Sequence, residues 1–95
     1  MSRQMGKLPD NHLPTVFGKA IRTAREALGI SQEELAARSG LHRTYIAGVE
    51  RGLRNPSLKS IAKLAHGLNV PASTLFRAVE RTRQGRADRD ARRQP

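Results

Sequence analysis

Between Val16 and Val79 the large apolar residues recur every three or four positions, and the first four such runs each stop at a glycine or at Asn69. This is the period of amphipathic helices, and no alternating β-branched run of the kind that marks a strand occurs. The pattern predicts five helices. The first spans about Thr15 to Leu28, with Val16, Phe17, Ala20, Ile21, Ala24 and Leu28 inward and Gly29 as a left-handed stop. The second opens at Ser31, and Glu34 three residues on predicts a capping box in which each side chain satisfies the other's free backbone donor. Leu35 and Ala36 face inward and Gly40 ends it. The third runs from about Arg43 to Arg51 with Ile46 and Val49 inward, stopped by Gly52. The fourth follows Asn55-Pro56-Ser57, with Ser57 as N-cap and a stripe of Leu58, Ile61, Ala62, Leu64, Ala65 and Leu68. Asn69 takes its left-handed cap and Pro71 blocks continuation. The fifth covers about Ala72 to Arg81, with Leu75, Phe76 and Val79 on one side.

The ends lack this pattern. Residues 1–13 have no period and read as a flexible arm, leaving residues 14–81 as the domain. Residues 82–95 contain no large apolar side chain, which predicts a disordered tail or a frayed helix end. A core drawn from the middle of 95 residues is small, which favours a second subunit.

Charge turns the picture toward function. Eighteen Lys and Arg against eight Asp and Glu give a formal net charge of +10, so a polyanion is the default partner. The absence of cysteine excludes a disulfide scaffold, a thiolate zinc site and a cysteine nucleophile. Three aromatic residues, Phe17, Tyr45 and Phe76, are too few for a single-strand stacking platform. No apolar run approaches the roughly 20 residues of a membrane span. The basic start has no apolar stretch after it, so the chain reads as cytoplasmic.

The junction of the second and third helices carries the functional reading. Residues 32–51 hold two short helices joined by Gly40-Leu41-His42. Gly40 permits the sharp turn, and small Ala36 lets the helices approach. This is the layout of a helix-turn-helix, whose second helix enters the major groove.

Gly29-Ile30-Ser31-Gln32-Glu33-Glu34-Leu35-Ala36, Gly40, Arg43-Thr44-Tyr45-Ile46, Val49-Glu50-Arg51-Gly52 and Asn55-Pro56-Ser57-Leu58 together resemble the phage repressor/Cro (XRE) family. The resemblance covers about two-thirds of the chain and implies a five-helix, lambda-repressor-like DNA-binding domain. The segment from Arg43 to Arg51 is similar to the recognition helix of restriction–modification controller proteins, small dimeric regulators of their own operon. Ser39 departs from the apolar residue usual in the family, which predicts a looser second helix. The arm and the Arg-rich tail fall outside the family pattern.

Arg43 opens the recognition helix, and its guanidinium matches guanine O6 and N7; a phosphate contact or a solvated arginine is the alternative. Thr44 suits a base or a thymine methyl, or plain helix surface. Tyr45 suits a phosphate or sugar contact, or partial burial. Ala47 and Gly48 lie one turn on and offer no polar reader, so direct readout is sparse and DNA shape contributes. Gly48 implies close approach to its backbone or simple tolerance. The resemblance has the Gln32 amide bind a phosphate and brace the neighbouring helix. Arg51 continues the recognition helix, and Arg54, Asn55 and Lys59 are candidate backbone contacts. The resemblance also pairs Arg25 with Glu50, against the alternative of two independent surface charges. His42 at the turn reads as an N-cap substitute or phosphate contact. His12, His42 and His66 lack partners at ligand spacing, so no metal site, cofactor or enzyme chemistry is expected.

Leu68, Val70, Leu75, Phe76 and Val79 either pack wholly into the core or form a stripe shared between the core and a second subunit, and the shared role is the favoured one. One short helix reads few base pairs, and a homodimer reads a palindrome. Seven arginines between Arg77 and Arg93, offset by Glu80, Asp88 and Asp90, either follow the nucleic-acid backbone or form a solvated tail. No sensor segment or small-molecule site is evident. The sequence therefore reads as a double-stranded DNA-binding transcriptional regulator acting as a homodimer: a restriction–modification controller, a prophage-type repressor or an antitoxin. The alternatives are a coactivator-like adaptor on the same fold, or membrane-surface binding through the tail. Repression and activation are equally compatible with it.

Overall fold

The computed structural model describes residues 12–93, with side chains through residue 82; the arm up to residue 11 lies outside the described residues. Five helices follow in order: α1 Leu13–Ala27, α2 Gln32–Ser39, α3 Arg43–Glu50, α4 Leu58–Leu68 and α5 Ala72–Arg93. The described residues contain no strand. α1 packs on α3 and α5, and α2 packs on α3 and α4. Their inward faces meet in one core of Val16, Phe17, Ile21, Leu35, Ala36, Ile46, Val49, Leu64, Ala65, Leu68, Leu75 and Val79.

The turn chemistry sets the helix ends. Ser31 accepts the Glu34 N–H at 3.0 Å, and Ser57 accepts the Ser60 N–H at 3.1 Å. Only half of the expected capping box forms, because the Glu34 carboxylate accepts from Arg38 Nε at 3.1 Å instead of reaching back to Ser31. One turn along a helix, a guanidinium is a stronger partner than a backbone amide already near solvent. α2 stops at Gly40 with φ 71°, and Leu41 N–H closes the turn on the Ala36 carbonyl at 3.0 Å. Asn69, φ 59°, ends α4 in the same left-handed way. α1 starts at Leu13 rather than Thr15, since Pro14 suits a first turn whose N–H groups have no partner.

Two glycines inside helices set the packing distances. A Cβ on Gly18 in α1 would collide with the backbone carbonyl oxygens of Val49 and Glu50 at the end of α3. A Cβ on Gly67 in α4 would lie 3.0 Å from a Leu35 methyl and 3.1 Å from the Ser39 Cβ in α2. This second approach explains Ser39. The residue is buried, and its hydroxyl donates to the Leu35 carbonyl at 2.7 Å, so a small side chain sits where α4 comes closest. The expected loosening of α2 does not follow, because the hydroxyl is satisfied within its own helix.

Several expected positions differ. Leu58 is 80% exposed and Ala62 is also exposed, because the two share the outward face of α4, whereas Ile61 between them packs against the core. Leu28 is exposed at the end of α1. α5 continues to Arg93, well beyond Arg81. Its added residues include no proline and are rich in arginine and alanine, and extending an established helix needs no new nucleus.

Gly18→Ala is expected to lower unfolding stability by about 2 kcal/mol, measured by urea denaturation. The new methyl meets backbone that cannot swing aside, which outweighs a helix-propensity gain of about 1 kcal/mol. Unchanged or raised stability would contradict the close approach of α1 to α3.

Candidate nucleic-acid interface

α3 is held from behind and open in front. At its C-terminal end the Glu50 carboxylate accepts from Arg25 Nε at 2.7 Å and from Arg25 Nη2 at 3.1 Å, a bidentate pair. Gln32 Nε2 donates to the same carboxylate at 3.0 Å. The third Arg25 nitrogen, Nη1, donates to the Ile30 carbonyl at 2.8 Å. The side chains of Arg25 and Glu50 are 12% and 3% exposed, so this is a partly buried pair and not two independent surface charges. Hydrogen bonding to Glu50 raises the Arg25 pKa above its ordinary value, and burial opposes that rise without cancelling it. One group thus ties α1, the start of α2 and the end of α3 together.

The outer face of α3 carries a shallow depression lined by Arg43, Thr44, Ala47, Gly48, Arg51, Leu53 and Arg54. Arg43, Thr44, Arg51 and Arg54 are exposed, whereas Ile46 and Val49 on the opposite face are buried. That depression therefore offers three guanidinium groups around a floor of small residues. Tyr45 is half-buried against the core, with the Arg54 guanidinium carbon 5.7 Å from its ring centroid. Gly48 is buried, and what approaches its backbone is the Arg54 side chain, 3.0 Å from where a Cβ would sit.

Other candidates sit elsewhere. His42 occupies the N-cap position of α3, but its exposed side chain makes no capping hydrogen bond, so it is no substitute cap. Gln32 braces α3 through one amide N–H, leaving its second for an external acceptor. Lys59 is exposed outside the depression, and Asn55 lines a different, apolar recess with Leu13, Pro14, Phe17, Pro56, Ile61, Phe76 and Val79. Of the proposed interface stripe, Leu68, Leu75 and Val79 are buried within the protomer. Their methyl groups are consumed by a core that a domain of this size cannot spare, which leaves Phe76, 45% exposed, and half-buried Val70. The Phe76 ring leans on Phe17 with centroids 6.4 Å apart.

Leu53 was not anticipated from the sequence. It is 65% exposed and belongs to the same depression as Arg43. The signal available was its position after Gly52, where the chain turns back over the helix just ended. No helix among the described residues is long and apolar enough to cross a membrane.

Glu50→Ala is expected to cost about 3 kcal/mol in urea unfolding, because it leaves the largely buried Arg25 guanidinium without its carboxylate. The double variant Arg25→Met/Glu50→Leu is expected to recover most of that loss. A single variant as stable as the parent would remove the pair from the account.

The helix-turn-helix family model matches residues 21–75, which spans all of α2, α3 and α4. Control protein C.BamHI of Bacillus amyloliquefaciens is 42% identical over 67 residues, covering 70% of this chain and 83% of the relative. The crystal structure of restriction–modification controller protein C.AhdI from Aeromonas hydrophila superposes with a TM-score of 0.65 at 51% identity, covering 66% of this chain and 96% of that one. Controller protein C.Esp1396I, solved as a tetramer with its natural 35 base-pair operator, gives a TM-score of 0.69 at 36% identity, covering 73% of this chain and 91% of that one. With the five-helix order, the braced third helix and these matches agreeing, the chain belongs to the helix-turn-helix family of transcriptional regulators that includes the restriction–modification controller proteins.

Proposed function

We propose that this protein is a sequence-specific, double-stranded DNA-binding regulator of transcription, acting in the cytoplasm as a homodimer on a two-fold symmetric operator, in the manner of a restriction–modification controller. The observation that carries this reading is the geometry of α3. Its inner face and C-terminal end are fixed, while the side chains of Arg43, Thr44, Arg51 and Arg54 are exposed around its outer face. The N-terminal part of such a helix reaches base edges in the major groove. Arg43 reads guanine, Thr44 lies beside it, and Ala47 offers a methyl-sized apolar contact. Arg51, Arg54, Gln32, Lys59 and Asn55 supply backbone contacts that set register.

Dimerisation follows from reach. Eight residues of α3 span about 12 Å, enough for only a few base pairs. Two copies related by a two-fold axis place two such helices about 34 Å apart along one face of the duplex. Of the expected stripe, Phe76 and half-buried Val70 are left for that contact. The protein needs no cofactor or metal for this and performs no catalysis; occupancy of the operator is the regulatory act.

Selection from a random duplex pool is expected to enrich a palindrome bound roughly 10³-fold more tightly than random DNA. A flat response to sequence would favour an adaptor. On the enriched duplex, Arg43→Ala is expected to cost about 1–3 kcal/mol, with relaxed preference at one base pair per half-site. Equal loss on every sequence would make Arg43 a phosphate contact.

A further inference from the structure

The loop that leaves α3 folds straight back over it. Gly52, φ 76°, donates its N–H to the Val49 carbonyl at 3.0 Å, and the Leu53 N–H donates to the Gly48 carbonyl at 2.9 Å. Both bonds aim the next residue, Arg54, along the outer face of the helix. There its side chain lies flat on bare backbone. A Cβ on Gly48 would stand 3.0 Å from Arg54 Cγ and 3.2 Å from Nε, closer than two such atoms ordinarily come. Tyr45, one turn before Gly48, forms the other wall, with its ring centroid 5.7 Å from the guanidinium carbon. None of the ion pairs among the described residues involves Arg54. The guanidinium therefore rests on an aromatic face and a glycine, with no carboxylate to hold it away from an incoming anion.

We infer that Gly48 is a positioning residue: the space left by its missing side chain is the seat in which Arg54 is held ready for a phosphate of the duplex. The inference rests on the DNA-binding reading above and adds to it a role for a residue that itself has nothing with which to read DNA. An arginine free in solvent loses rotamer freedom when it binds. Seated against Gly48 and Tyr45, Arg54 has lost much of that freedom before DNA arrives, and the edge of its planar fork remains available to phosphate oxygens. Gly48→Ala makes a separable test. The atom it meets belongs to an exposed, flexible side chain, so the fold tolerates the methyl and the helix gains propensity, while Arg54 has to give way by a few tenths of an ångström and loses its close fit to the seat.

Three measurements on the full chain decide the matter. In the free protein, the Arg54 δ protons are expected to show an upfield ring-current shift in NMR spectra, reduced by Gly48→Ala and by Tyr45→Leu. The melting temperature of Gly48→Ala is expected not to fall. Its affinity for both the enriched duplex and a random-sequence duplex is expected to drop by roughly 2- to 12-fold, the effect of ordering one long side chain. In an Arg54→Ala background the same substitution is expected to have no further effect. An equal loss in that background would mean that the methyl obstructs DNA directly, and would overturn the inference, as would unshifted Arg54 protons in the parent or a lowered melting temperature. Should the parent prefer no duplex sequence, the regulator reading fails, while the NMR comparison still decides the seat.

Discussion

Everything that α3 does depends on one carboxylate. Glu50 is an acidic side chain almost entirely out of water in a chain of net charge +10, and three donors converge on it. Burying an ion is costly unless its lone pairs are filled, and here they are filled from two different helices. The result is directional. Arg25 fixes the end of α3 to α1, Gln32 fixes it to the start of α2, and the Val49 and Glu50 carbonyls lie against the bare backbone of Gly18. The C-terminal end of α3 therefore has little freedom to tilt, and its outward residues inherit that rigidity.

Charge and shape divide the remaining work. The excess of positive side chains supplies attraction to a polyanion without regard to sequence, and it weakens as salt rises. Specificity has to come from a narrow surface. At the start of α3 that surface exposes Arg43 and Thr44, whereas one turn on Ala47 and Gly48 offer only a methyl and space. On the proposed reading, a helix so sparsely equipped relies on where it sits in the groove and on how readily the duplex deforms to meet it. The brace behind Glu50 and the seated Arg54 serve the same end, which is to make position do what additional side chains would otherwise do.

The helices were legible in the sequence because periodicity and turn residues agreed: Gly40, Ser57 and Asn69 act as read, and Ser31 caps α2 although its reciprocal bond with Glu34 does not form. The Arg25–Glu50 pair was legible only through family resemblance, since nothing in local spacing brings residues 25 apart together. Gly18 and Gly67 were missed, because a glycine within a helix registers as weak propensity and its packing role appears only when the facing helix is in place. Leu58 and Ala62 differ for the converse reason: they are apolar and helically spaced but lie on the outward face of α4, with Ile61 between them turned to the core. Leu68, Leu75 and Val79 were assigned in part to a partner subunit, yet the protomer's own core claims them. The sequence distinguishes an apolar stripe from a polar one, but not one partner of that stripe from another.

A methylation-protection footprint tests the central claim most directly. Dimethyl sulfate modifies guanine N7 in the major groove and adenine N3 in the minor groove, so it reports which groove is covered. With α3 as the reading element, bound protein protects guanine N7 in two patches with centres about 34 Å apart, and the Arg43→Ala variant loses protection at one guanine in each patch. Protection confined to adenine N3, or an N7 pattern indifferent to Arg43, would contradict the account.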